Sequence, residues 1–106
     1  MDIDRFAGGP PAKSHLLAWA EFLEATAVHP SRIGELVDLG WISPQRTSCG
    51  GYLFPLRDVY RIRKLERLML DFEMSTIAGV IVVDLLERVE TLESRIRHFE
   101  KLSNLP

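Results

Sequence analysis

The chain is poor in the groups that usually carry chemistry. Its one cysteine, Cys49, can form no internal bridge and cannot by itself anchor a thiolate metal site. The three histidines, His15, His29 and His98, stand far apart with no carboxylate or cysteine at ligand spacing, so neither a metal nor another cofactor is expected. A Gly-rich phosphate loop, a Gly-x-Ser-x-Gly elbow and a His-Glu-x-x-His pair are all missing, which argues against an enzyme. Long apolar runs are missing too. The longest, at 77–83, falls far short of the ~18 residues that a membrane-spanning helix needs. The first six residues, Met-Asp-Ile-Asp-Arg-Phe, lack the basic start and apolar stretch of a signal peptide, so a cytoplasmic protein is expected. A basic excess is also lacking: 13 Lys and Arg stand against 15 Asp and Glu, for a net charge of -2. Small DNA-binding modules ordinarily carry such an excess, because phosphate neutralisation supplies most of their affinity.

What remains is an ordinary globular composition, 46% apolar and 26% charged, in 106 residues, the length of one domain. The charge is unevenly placed. Residues 14–45 hold Glu21, Glu24, Glu35 and Asp38 against Arg32 alone. Residues 46–70 hold Arg46, Arg57, Arg61, Arg63, Lys64 and Arg67 against Asp58 and Glu66, and the stretch from 71 onward is acidic again. An acidic front and a basic middle fit a protein-binding module with two different faces; solvated surface charge would look the same.

Residues 1–14 contain Gly8-Gly9-Pro10-Pro11 and read as a flexible leader. From Leu16, the positions Leu16, Trp19, Ala20, Leu23 and Ala27 recur at helical spacing, and Val28-His29-Pro30-Ser31 reads as a turn. Pro30 suits the first turn of a second helix with Ile33, Leu36, Val37 and Leu39 on its buried stripe and Gly40 as its stop. Trp41-Ile42 then drops back onto the core. Cys49-Gly50-Gly51 permits a tight turn, so 45–54 reads as a two-stranded wing. Pro55 opens a third helix with Asp58 in its first turn and Val59, Ile62, Leu65, Met69 and Phe72 facing inward.

Ser75 is placed to cap a fourth helix. The β-branched run that follows is also compatible with a strand, but Ala78, Val82, Leu85, Val89, Leu92, Ile96 and Phe99 are spaced as a heptad. One long, coiled-coil-like helix over 75–102 explains all of them. The fold expected is therefore mainly α, four helices with a small β-hairpin wing, divided into a leader at 1–14, a winged helix-turn-helix domain at 15–74 and a dimerisation helix at 75–102. Val82, Leu85, Val89, Leu92, Ile96 and Phe99 form the expected seam of a homodimer.

This order of elements resembles the MerR-type winged helix-turn-helix superfamily. Ala27-Val28-His29-Pro30 stands where that superfamily has Gly-Val-Ser-Pro, and Leu39-Gly40-Trp41-Ile42-Ser43-Pro44 is similar to its Ile-Gly-Leu-Leu-x-Pro. Within it, Glu21-Phe22, Glu35-Leu36-Val37-Asp38-Leu39-Gly40, Phe54, Arg61-Ile62-Arg63-Lys64-Leu65 and Asp84-Leu85-Leu86-Glu87-Arg88-Val89 with Leu92 look most like the CbpM family. That resemblance implies a chaperone modulator that binds the J-domain of a DnaJ/CbpA-type co-chaperone and inhibits its action on DnaK. Where DNA-reading members carry Arg-Tyr-Tyr on the recognition helix, this chain has Gly34-Glu35-Leu36, which replaces a phosphate-binding surface with a repelling one. The leader matches no segment placed by that resemblance, and with the sequence ending at Pro106 no effector domain is expected.

The expected partner-binding residues are Glu21, Glu24, Glu35 and Asp38, since J-domains present a basic helix to DnaK and an acidic competitor is complementary to it. The alternative is a DNA-binding regulator that uses Arg32, Arg46, Arg57, Arg61, Arg63 and Lys64. For the dimer, Arg88 and Arg95 at g with Glu93 and Glu100 at e favour a parallel seam, whereas the resemblance implies an antiparallel one. Exposed ion pairs are weak arbiters, so antiparallel packing is expected.

Overall fold

A computed structural model of the chain describes residues 16–105, and the expected leader lies outside them. The elements run β1 (Leu16–Ala18), α1 (Trp19–Thr26), α2 (Pro30–Asp38), β2 (Gln45–Arg46), β3 (Tyr52–Pro55), α3 (Leu56–Phe72) and α4 (Thr76–Ser103). The chain divides into two compact units, Met1–Arg63 and Lys64–Pro106, and the division falls inside α3.

In the first unit the strands form one antiparallel sheet in the order β1-β3-β2. The hairpin is the expected wing, with Gln45 opposite Leu53 and Arg46 opposite Tyr52. The third strand corrects the reading of Leu16 as helical: Leu16, Leu17 and Ala18 pair with Pro55, Phe54 and Leu53. Three residues are too few to show alternation, and a lone two-stranded hairpin is marginal, so the free edge of β3 recruits them.

Because α1 begins at Trp19, its buried face is turned from the one expected. Phe22 and Thr26, one turn apart, point into the core, while Trp19 stays 42% exposed and Ala20 and Ala27 face solvent. The Thr26 hydroxyl donates to the Leu23 carbonyl at 3.1 Å, so its burial leaves no orphan donor. Ala27 ends the helix at φ 58°, in the left-handed region, with its N–H on the Leu23 carbonyl at 3.0 Å.

Pro30 occupies the first turn of α2, and the Ser31 N–H donates to His29 Nδ1 at 3.1 Å, so a histidine serves as N-cap. Ile33 and Leu36 are buried, but Val37 and Leu39, expected beside them, are exposed. A nine-residue helix lying on one small core offers it a narrow stripe only. Gly40, at φ 78°, ends the helix in a Schellman arrangement: its N–H meets the Val37 carbonyl at 2.9 Å and the Trp41 N–H meets that of Leu36 at 3.0 Å. Ile42 then enters the core as expected.

Along α3, Val59, Ile62 and Leu65 are buried, Met69 is half-buried and Phe72 is 65% exposed, so the inward stripe is shorter than expected. Glu73, at φ 54°, closes this helix, with the Met74 N–H on the Met69 carbonyl at 3.2 Å. Ser75 caps α4 as expected, its hydroxyl accepting the Ala78 N–H at 3.1 Å. In the second unit α3 and α4 approach closely at Gly79, where a Cβ would stand 2.6 Å from Leu65 Cδ1 and 3.2 Å from Met69 Cγ. Val83, one turn further, is fully buried, and every residue from 88 to 105 is exposed.

Ala27 holds a conformation that disfavours any side chain with a Cβ. Ala27→Gly is therefore expected to stabilise the fold by about 0.5–1 kcal/mol, read as a higher urea midpoint at unchanged slope.

Candidate functional site

The four acidic residues expected to meet a partner have different local tasks. The Glu21 carboxylate accepts the Ala18 N–H at 3.1 Å and so closes the first turn of α1. Glu35 is paired with Arg32 at 3.0 Å, one turn apart on α2. Glu24 and Asp38 are exposed and have no hydrogen-bond or ion-pair partner among the described residues. Ser31, Glu35 and Asp38 share one side of α2, as their spacing required.

Beside that side of the helix lies an open groove of about 650 Å³ that sequence reasoning missed. Ile33, Gly34 and Val37 of α2 form one wall, with Pro30 and Asp38 at its ends; Trp19, Tyr52 and Phe54 form the other. The rings of Trp19 and Phe54 are 5.7 Å apart at 43°. The signal available was an excess of large apolar residues over what the core consumes: Trp19, Val37 and Tyr52 were open to assignment once Phe22, Ile33 and Leu36 had filled the interior.

The bases of the DNA-binding alternative do not behave as one set. Arg46 lies over the Tyr52 ring, 5.8 Å from its centroid. Arg57 is 81% exposed and Arg63 is exposed. Lys64 stands 3.8 Å from Glu90. Arg61 is folded inward. Its guanidinium sits 4.0 Å over the Trp41 ring, donates to the Trp41 carbonyl at 3.2 Å and meets the buried Asp58 carboxylate at 3.3 Å. Planar stacking together with directed N–H donors is a use of arginine that lysine does not reproduce. Asp58, read from sequence as a helix-dipole partner, is therefore also the counter-ion of an internal clamp.

On α4, Val82 is half-buried, whereas Leu85, Val89, Leu92, Ile96 and Phe99 are each about half exposed or more, in a continuous apolar row. Cys49 is exposed on the hairpin. Among the described residues no group of three or more His, Cys, Asp or Glu is placed to hold a metal, and no helix is long and apolar enough to cross a membrane.

A helix-turn-helix, a hairpin and a long final helix in this order define a class, and the sequence agrees. Residues 17–101 match the family described as MerR HTH family regulatory protein. The chain belongs to that family. No curated protein matches it in the corresponding comparison.

Asp58→Ala would leave the inward-facing Arg61 guanidinium without its carboxylate. Loss of the carboxylate from this partly buried pair, in which Arg61 keeps its contacts with Trp41, is expected to lower stability by about 1–2 kcal/mol in urea unfolding, with helical circular dichroism preserved.

Proposed function

We propose that this MerR-family chain is a non-enzymatic, cytoplasmic protein-binding module that masks the J-domain of a DnaJ/CbpA-type co-chaperone and so inhibits its action on DnaK. The observation that carries this reading is the outer side of α2. In DNA-binding helix-turn-helix proteins the second helix reads the major groove. Here that helix presents Glu35 and Asp38, and its one base, Arg32, is paired with Glu35 at 3.0 Å. Such a surface repels phosphate and attracts a basic helix. The resemblance to the CbpM family supports the choice of partner.

Calorimetry with a purified J-domain tests this. Binding is expected to weaken as salt rises. Reversing both Glu35 and Asp38 to lysine is expected to weaken it further, mainly through slower association, because exposed interface charges act on encounter. An unchanged affinity in the double reversal would remove this face from the interface. The second reading, a DNA-binding regulator, draws on the family's description and on the exposed Arg46, Arg57 and Arg63. A nanomolar, sequence-dependent gel shift at physiological salt would favour it over the first.

The apolar row on α4 supports a homodimer through the last helix, and the resemblance to the superfamily favours an antiparallel arrangement of the two helices. A row of this length left in water is the kind of patch that marks an interaction surface. Leu92→Glu is expected to place a charge in the seam and give a monomer by sedimentation. A wild-type chain that is already monomeric at micromolar concentration would rule the seam out.

A further inference from the structure

The groove between α2 and the aromatic wall meets the acidic side of α2 at Asp38, which lines its lip. We propose that this groove is an anchor pocket for a segment of a protein partner presenting a large apolar side chain with a lysine or arginine beside it. The proposal rests on the reading of the chain as a protein-binding module and adds the chemistry of what is bound. Three features converge on it. Trp19 and Tyr52 stand about half exposed on one wall, and such rings supply most of the binding energy where an interface closes over them. The Asp38 carboxylate has no partner among the described residues, so a cation placed beside the apolar anchor would be its first.

The third feature is Gly34. Glycine inside a helix costs about 1 kcal/mol relative to alanine. Nothing in the fold demands it, because a Cβ at this position would meet no atom within 4 Å and its backbone is ordinary helix. What the missing side chain does is keep the groove wall open to an incoming group. The same stripe, Pro30, Ile33, Gly34 and Val37, offers no side-chain donor to a base edge, which disfavours DNA as the occupant.

The test uses the full chain carrying Trp41→Phe, so that Trp19 is the sole tryptophan and reports on the groove. The probe is a twelve-residue helical peptide with a leucine stripe flanked by lysine, compared with the same peptide carrying glutamate in place of lysine. The lysine peptide is expected to saturate with a blue shift of Trp19 emission, and the glutamate peptide to bind at least tenfold more weakly. Gly34→Leu should fill the groove and weaken the lysine peptide at least tenfold without lowering the urea midpoint, and Asp38→Asn should narrow the preference between peptides. Equal binding of the two peptides, no binding of either, or full binding by Gly34→Leu would overturn the proposal. So would a Trp19 response to duplex DNA alone, loss of a dimer in Gly34→Leu, or release of the groove on removing residues 1–15. A chain that takes the lysine peptide but no J-domain keeps the anchor pocket and sinks the co-chaperone reading. A chain that binds the J-domain equally well with Gly34→Leu sinks the pocket alone.

Discussion

The stack of Phe22 on Phe54 is the contact around which the first unit is arranged. The rings lie 4.3 Å apart at 13°, and both residues are buried. Burying each side chain contributes about 1.5–3 kcal/mol, and the ring pairing adds roughly 0.5–1.5 kcal/mol. The stack binds α1 to the central strand of a sheet too small to stand alone. It also sets the phase of α1: with Phe22 inward, Trp19 is carried to the edge, where it meets Phe54 from the side. The groove follows from that geometry, since Phe54 is at once the inner partner of Phe22 and part of the outer wall.

Charge is divided between building the fold and addressing the outside. Glu21 closes a helix end, Asp58 and Arg61 clamp α3 to the segment that leaves α2, and Arg32 and Glu35 satisfy each other. Glu24 on α1 and Asp38 on α2 are left exposed, and Arg57 and Arg63 stay exposed on α3. The second helix of a helix-turn-helix, which in DNA-binding proteins faces the major groove, presents in this chain carboxylates and an apolar groove. The scaffold is retained while the chemistry on its surface differs, as expected when function resides in sites placed on a shared fold.

The second unit follows a different economy of contacts. At Gly79 and Val83, α3 and α4 are tightly packed, and from residue 88 to its end at Ser103 the 28-residue α4 is exposed throughout, apolar row included. Helices of this kind draw most of their stability from packing rather than propensity, so the exposed half is the portion that gains most from a second surface.

Helix signals were legible in the amino-acid sequence because they are local. Pro30 and Gly40 bracket α2, Ser75 starts α4, and the heptad spacing overrode the β-branched run at 77–83, all through interactions spanning one or two turns. The hairpin was legible for the same reason, from Gly50 and the strand-like Tyr52-Leu53-Phe54. Tertiary structure alone decided which face of each helix is buried. Leu16–Ala18 became a strand because the free edge of β3 lay within reach, and that shift of three residues rotated α1, buried Phe22 and exposed Trp19. Arg61 looked like one more surface base until the ring of Trp41 and the carboxylate of Asp58, separated from each other by 17 positions in the chain, came to lie around it. The groove escaped notice on the same physical ground: its walls come from α1, α2 and β3, and no periodicity within one element records what another element leaves uncovered.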